Sequence, residues 1–257
     1  YTWDYRFKKL KKLKNIECFY IKKNPLKKWS ILIKKVDYFF PIAPETEGKL
    51  IELIKLNRFK KKMLSSTINA IKKTSSKYKT YKFFQKNSIP TLQTFDKKRI
   101  NFKISKKWVV KPDDGAGSEK NYIFSNKKDL LNFLTLNKNF VTQPLIKGVS
   151  YSANILSLKN KALILNFNKQ KIFYNKKKII FKGTEFIKKV PYEDKIKKNI
   201  NIISKKLPGL NSFYGIDFII FKKKIFFIDI NPRITTSYQN ISKNLKINVA
   251  KKILNTL

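Results

Sequence analysis

The chain has no histidine and a single cysteine, Cys18. Without histidine there is no Ser-His-Asp or Cys-His nucleophile system and no His-based zinc site. A metal has to sit on oxygen ligands, which suits magnesium or manganese. One cysteine permits no internal disulfide and favours a cytoplasmic setting. Long apolar runs are missing too. None reaches the roughly 18–20 residues that a spanning helix needs, so no membrane partner is expected. Negative charge is scarce, with 16 acidic against 59 basic residues and a formal net charge of +43. Arginine is scarce within the basic set, at Arg6, Arg58, Arg99 and Arg233 alone.

What is abundant is lysine, isoleucine, asparagine, phenylalanine and tyrosine, while glycine, alanine and proline are few. This is the signature of an AT-rich genome, and the lysines are spread along the whole chain. A nucleic-acid-binding protein predicts clustered lysines with aromatic stacking platforms. The aromatics here follow strand and helix periods instead, so nucleic acid is not an expected partner. The charge still attracts anions such as ATP or acidic peptides.

With 257 residues and 42% hydrophobic content, the chain can bury a sizeable core. Its first residue is Tyr1, so a truncated or processed N-terminus is expected, and YTWDYRF is not a signal peptide. Three regions are expected. Residues 1–74 read as a small α/β unit, with strands at 17–21 and 38–44 and helices at 27–36 and 48–56. Residues 75–148 hold a helix ended by Asn87 and Pro90, strands at 108–111 and 121–124 around a glycine loop, a helix at 126–137 capped by Asn126, and a strand at 140–146. Residues 149–257 read as a meander of four strands (YSANILSL, KALILNF, KQKIFY, KKIIFK), a helix at 193–207, a hairpin and a last helix at 241–256.

The hairpin FYGIDFIIFKKKIFFIDINPR (213–233) is almost wholly apolar, yet each strand carries an aspartate. With Lys222–Lys224 as a three-residue loop, Asp217 lies opposite Asp229 and Gly215 opposite Asn231. Opposed Cβ atoms lie about 4.5–5.5 Å apart, and two like charges there repel. A bridging divalent cation resolves the conflict, with Asp217, Asp229 and Asn231 as oxygen ligands. The alternatives stay open: both aspartates face solvent, one is protonated, or a one-residue slip separates them. The stretch VVKPDDGAGSEK (109–120) is a strand followed by a glycine loop. Gly115 and Gly117 let the backbone approach a phosphate, with Lys111 in reach, although a plain hairpin turn looks the same.

Lys111, the loop 113–118, QPLIKG (143–148), Asp217 and DINPR (229–233) follow one another in the order and spacing of the ATP-grasp superfamily, which the chain resembles from about residue 38 to 240. Its strongest motif is Gly-Ile-Asp (215–217) followed by Asp-Ile-Asn-Pro-Arg (229–233). Within the superfamily, IAPETEG (42–48), NKQ (168–170) and NPRITTSY (231–238) resemble the tyramine–glutamate ligases of methanofuran biosynthesis. The resemblance implies an α+β ATP-grasp fold, two lobes gripping ATP, behind a partial pre-ATP-grasp domain at 1–74. It implies a small lobe at 75–148 with glycine loop and adenine hinge, and a large lobe at 149–257 with the metal site. It also implies an ADP-forming ligase that joins a carboxylate to an amine through an acyl phosphate. Lys77 and Lys111 match the phosphate-contacting lysines, and Gly115, Ala116, Gly117 and Ser118 match the closing loop. Gln143, Pro144, Leu145 and Ile146 match the adenine hinge. Asp217, Asp229 and Asn231 match the ligands of Mg2+ (or Mn2+), and Arg233 the arginine near the transferred phosphate. Glu45, Asn168, Gln170, Thr235, Thr236 and Tyr238 match substrate contacts; each also has a plain reading, such as Glu45 as a helix-start residue and the threonines and tyrosine as loop hydrogen-bonders.

Three positions depart from the superfamily pattern. Asp229 stands where many relatives have glutamate, Ser150 where a ribose-binding glutamate is common, and Ser76 where aspartate is common before Lys77. The reading is an ATP-dependent amide ligase acting on small-molecule amine and carboxylate substrates, glutamate with a tyramine- or tyrosine-like amine. The alternatives are a ligase of other amino acids and a degenerate, non-catalytic ATP-binding protein. A homodimer stays open.

Overall fold

The computed structural model describes residues 14, 17, 19, 25–57, 62–97, 99–115, 120–158 and 161–255. Most of the strand expected at 17–21, and the loop residues Ala116, Gly117 and Ser118, lie outside them.

The N-terminal unit runs α1 (Pro25–Ile33), β1 (Tyr38–Phe39), a 3-10 turn at Thr46–Gly48, α2 (Lys49–Lys55) and β2 (Lys62–Met63), with β1 and β2 paired in parallel. The strand expected over 38–44 is only two residues long. Pro41 and Pro44 lack the N–H that a longer ladder needs. Trp29, Leu50, Leu53, Ile54 and Ile71 close its core.

α3 (Ile68–Thr74) and α4 (Lys77–Lys86) follow. Two side chains cap α4: Ser76 accepts from the Lys79 N–H, and Asp113 Oδ1 accepts from the Tyr78 N–H at 2.8 Å. α4 was expected with the small lobe, but its buried face packs elsewhere. Phe84 meets Phe227 of the final hairpin, ring centroids 6.2 Å apart, within the large-sheet core.

A three-stranded antiparallel sheet comprises β3 (Trp108–Pro112), β4 (Tyr122–Phe124) and β5 (Phe140–Pro144), in the order β4-β3-β5. α5 (Lys127–Leu136) covers it through Leu130 and Leu134, against Trp108 and Val110. The expected Asn126 cap is present, accepting from the N–H groups of Lys128 and Asp129.

The large sheet is β6 (Val149–Leu158), β7 (Lys161–Tyr174), β8 (Ile179–Ile187), β9 (Phe213–Phe221) and β10 (Lys224–Asn231), antiparallel in the order β10-β9-β6-β7-β8. KALILNF and KQKIFY, expected as separate strands, form the single 14-residue β7. No glycine or proline stands between them to turn the chain, and an irregularity between Gln170 and Ile172 absorbs the change. α6 (Glu193–Lys206) covers this sheet with Ile196, Ile200 and Ile203. The last helix, expected as one, is two: α7 (Gln239–Leu245) and α8 (Val249–Leu254). They part at Lys246, left-handed at φ 50°, and Asn248 caps the second.

The hairpin reaches its register by an unexpected route. The turn is two residues, Lys222 and Lys223, both left-handed (φ 46° and 62°), and Phe221 pairs with Lys224. A bulge between Phe227 and Asp229 then inserts Ile228. The shorter turn and the extra residue cancel, and Asp217 faces Asp229 with Gly215 opposite Asn231. Left-handed turns match strand twist, which offsets the cost of about 1 kcal/mol each for non-glycine residues.

Candidate active site

The two sheets enclose a cavity of about 250 Å³. They are tied across its rim: the Ile123 N–H donates to the Lys177 carbonyl (2.8 Å) and the Ile179 N–H to that of Asn121 (3.1 Å). One end of the cavity is apolar. Leu92 and Val109 face Ile172 and Tyr174 of β7 and Ile179 and Phe181 of β8. Gln143, Pro144, Leu145 and Ile146, at and beyond the end of β5, run along the same end. Gln143 is buried, and its Nε2 donates to Thr94 Oγ1 at 2.7 Å, while the Leu145 N–H is taken by the Lys107 carbonyl. A slot with apolar walls and backbone polar groups on one edge accepts a flat heteroaromatic ring.

The other end is charged, because strand alternation turns one residue in two toward it. Lys111 of β3, Lys77 of α4, Asp217 of β9 and Asp229, Asn231 and Arg233 at the end of β10 all line it. Lys77 Nζ donates to the Gly115 carbonyl (2.6 Å) and lies 3.5 Å from Asp229 Oδ2. Asp217 accepts from Gln170 Nε2 at 2.9 Å and from Asn231 Nδ2 at 3.1 Å. Burial first, and the facing Asp229 second, push Asp217 up to about 7. Burial and the neighbouring Lys77 bring Lys111 down to about 8. Asp217, raised in this way by its facing carboxylate, is a group that a cation between the two would relieve. Among the described residues no three Asp, Glu, Cys or His side chains cluster. The donor set is therefore two carboxylates and the Asn231 amide, hard oxygen donors suited to Mg2+.

The residues matched to substrate contacts divide. Gln170, Thr235 and Thr236 line the cavity. Asn168 and Tyr238 do not. Asn168 is wholly buried, and its Oδ1 accepts from Asn166 and Asn240. Tyr238 packs edge-on against Phe213 in an apolar cluster. Asn168 sits in the sheet's polar interior, and Tyr238 stands half-buried beside the core beneath α7. Glu45 is buried beneath the cavity wall, where its Oε2 accepts from Arg233 Nε at 2.9 Å.

Sequence reasoning missed several contributors. Asp113 and Asp114 open the glycine loop yet fasten it outward. Asp113 caps α4, and Asp114 accepts from Asn139 Nδ2 and the Glu47 N–H. Ser152 and Thr184 line the cavity, and the Ser152 hydroxyl is buried without a partner. The alternation of β6 and β8 is the signal that could have pointed to them. Asn154 Oδ1 accepts from Thr235 Oγ1 (3.0 Å) and Ser237 Oγ (2.9 Å), which pins the loop after β10. Gly215 lets that loop sit close, because a Cβ there would lie 2.7 Å from Thr235 Cγ2. We expect Gly215→Ala to push Thr235 outward and to cost about 1–3 kcal/mol of stability by overpacking, read from urea unfolding.

Two lobes enclosing a slot, with lysines and paired aspartates at its far end, define a protein that grips a nucleotide between its lobes. Residues 74–237 match the ATP-grasp domain and residues 1–71 the pre ATP-grasp 3 domain, and the chain belongs to the ATP-grasp family. Its architecture is α+β, an ATP-grasp domain behind a pre-ATP-grasp domain. The chain is similar to the tyramine–L-glutamate ligase of Methanocaldococcus fervens, 33% identical over 79% of this chain and 61% of that protein. It is 32% identical to that of Methanocaldococcus jannaschii, over 90% of this chain and 68% of that protein. The chain therefore spans roughly two thirds of the length of these relatives. The crystal structure of D-alanine–D-alanine ligase from Bacillus anthracis shares the fold, with a TM-score of 0.72 at 17% identity over 93% of this chain and 86% of that one. Among the described residues no helix is long and apolar enough to cross a membrane.

Proposed function

We propose that this protein is an ATP-dependent carboxylate–amine ligase, and that it joins glutamate to a tyramine- or tyrosine-like amine in the cytoplasm. The observation that carries the reading is the facing pair Asp217 and Asp229 at the charged end of an apolar slot. Adenine would lie against the hinge 143–146, and the phosphates would run toward Lys77 and Lys111. Asp217, Asp229 and Asn231 would hold Mg2+, which when bound neutralises charge on the transferring phosphoryl group. Lys111 is buried and aimed at the same end, so its ammonium meets a phosphate in a water-poor setting where its field is strong. Arg233, which also lines that end, supplies a fixed cation where charge spreads over the phosphoryl oxygens. No general base is needed to form an acyl phosphate, which fits a protein without histidine.

The substrate pair rests on the ligases to which the chain is similar, together with the amide and hydroxyl groups of Gln170, Thr235 and Thr236 beside the metal ligands. The test is ADP release by the full-length protein with ATP and Mg2+. ADP is expected only when glutamate and tyramine (or tyrosine) are both present, and none after chelation by EDTA. ADP release with other amino-acid pairs but not with these would replace the substrate assignment. Tight ATP binding with no ADP from any pair would favour a non-catalytic ATP-binding protein.

A further inference from the structure

The N-terminal unit meets the site through three consecutive residues. Glu45 accepts from Arg233 of the large lobe, Nε to Oε2 at 2.9 Å. Thr46 Oγ1 donates to the Asp114 carbonyl at 3.2 Å, and the Glu47 N–H donates to Asp114 Oδ2 at 3.1 Å. Asp114 stands at the start of the glycine loop, one residue before Gly115, whose carbonyl takes Lys77. One turn thus touches the arginine of one lobe and the loop of the other.

Two features set this turn apart from a plain helix start. Glu47 is left-handed (φ 56°, ψ 22°), a costly conformation for glutamate, and Gly48 after it is left-handed too (φ 72°). Such a pair of residues turns the chain sharply enough to present Glu45 on one side and the Glu47 N–H on the other. Glu45 is also deeply buried, with its Oε1 lacking any partner. A buried carboxylate left half-satisfied is expensive unless its one ion pair matters. Arg233 Nη1 donates to the Ile234 carbonyl at 3.0 Å, so with Nε on Glu45 two of the three guanidinium nitrogens are fixed. The remaining Nη2 is left oriented by the planar fork.

We propose that the turn Glu45–Gly48 is a brace, in which Glu45 is a positioning residue that sets the guanidinium of Arg233 while Thr46 and Glu47 anchor the glycine loop through Asp114. The N-terminal unit then helps to set where the transferred phosphate is met, without itself touching it. This rests on the ligase reading for the role of Arg233, but the brace itself is a property of the free chain.

The first test therefore needs no nucleotide. In hydrogen-exchange mass spectrometry of the full chain, Glu45→Ala speeds exchange in residues 231–236, and Asp114→Ala speeds it in residues 45–48. Unchanged exchange in both segments overturns the brace, whatever the chain binds. The second test is calorimetry with ATP and with ADP, each with Mg2+. Glu45→Ala lowers the preference for ATP over ADP by about tenfold, the effect of one misplaced charged donor. Glu45→Gln, which keeps an acceptor at the same reach, retains most of it. Adding Glu45→Ala to Arg233→Ala causes no further loss, because the first acts through the second. Losses that multiply, or a preference that Glu45→Ala leaves intact, overturn the positioning role. A parent chain that binds no nucleotide overturns the ligase reading instead, and the exchange result then decides the brace alone.

Discussion

Replacing Asp217 by asparagine lowers ATP-dependent turnover by about 10³-fold or more, yet leaves the metal-free chain at least as stable as before. The two effects come from one geometry. Asp217 faces Asp229 across β9 and β10, and both line the charged end of the cavity. With a cation present, the second carboxylate supplies charge that an amide cannot, and the loss corresponds to about 4 kcal/mol of transition-state stabilisation. Without a cation the same carboxylate is a burden. Burial and Asp229 push it up to about 7, far above its value in an unfolded chain.

The sign follows from this direction. Above pH 7 the folded metal-free chain holds an ionised Asp217 that it disfavours, so this group subtracts from stability. As pH falls below 7, the folded chain takes up the proton before the unfolded chain does, and stability from this group rises. Asp217→Asn should therefore raise the melting temperature at pH 8 by about 2–8 °C, for roughly 1–2 kcal/mol of relieved repulsion. At pH 5 the difference should be smaller, and it should vanish only below the unfolded value of about 4. The Asn231 and Gln170 amides that now donate to Asp217 can turn to accept from the new Nδ2. Thermal melts without metal at the two pH values, beside an ADP assay with Mg2+, check both halves. Activity within tenfold of the parent would sink the cation site.

Arg233→Ala should cost about 10²–10³ in kcat and a smaller factor, about tenfold, in affinity for ATP. Arg233 has Nε on Glu45 and Nη1 on the Ile234 carbonyl, and it lines the charged end of the cavity. A cation fixed there before the reaction acts on charge that develops in the transition state, more than on bound ATP. Arg233→Lys should recover little. A lysine ammonium cannot satisfy Glu45, satisfy the Ile234 carbonyl and still present a donor in the same plane. Arg233→Ala also leaves Glu45 as an unpaired buried carboxylate, so the single variant should melt below the double variant Arg233→Ala/Glu45→Ala. Steady-state kinetics and melts of the set read both predictions. A raised KM for ATP at unchanged kcat would place Arg233 in ground-state binding instead.

Much of this chain could be read locally. The alternation in FYGIDFIIF and IFFIDIN marks two strands whose aspartates share a face, and Asn126 marks a helix start that the structure keeps. Absence spoke as clearly, since a chain with no histidine and one cysteine leaves oxygen ligands and ammonium groups for its chemistry. The hairpin shows where local reading stops. A three-residue turn and a two-residue turn with a bulge at Ile228 give the same facing pair, and only the packed sheet selects between them. The break at Lys246 came from docking, as Val249 and Ile253 reach the cluster that holds Leu156 and Phe213. Asn168 carries an amide fit for a substrate site, and the tertiary structure pairs it with Asn166 and Asn240, while Tyr238 stands half-buried against Phe213. Glu45 was legible as a candidate site residue but not as the partner of Arg233, 188 residues away in sequence. Periods of two and 3.6 residues are written in neighbouring positions, so the sequence by itself determined the hairpin strands, the Asn126 cap and the shared face of the aspartates. Which charge meets which across the lobes depends on how separate apolar faces pack, and that only the tertiary structure decided.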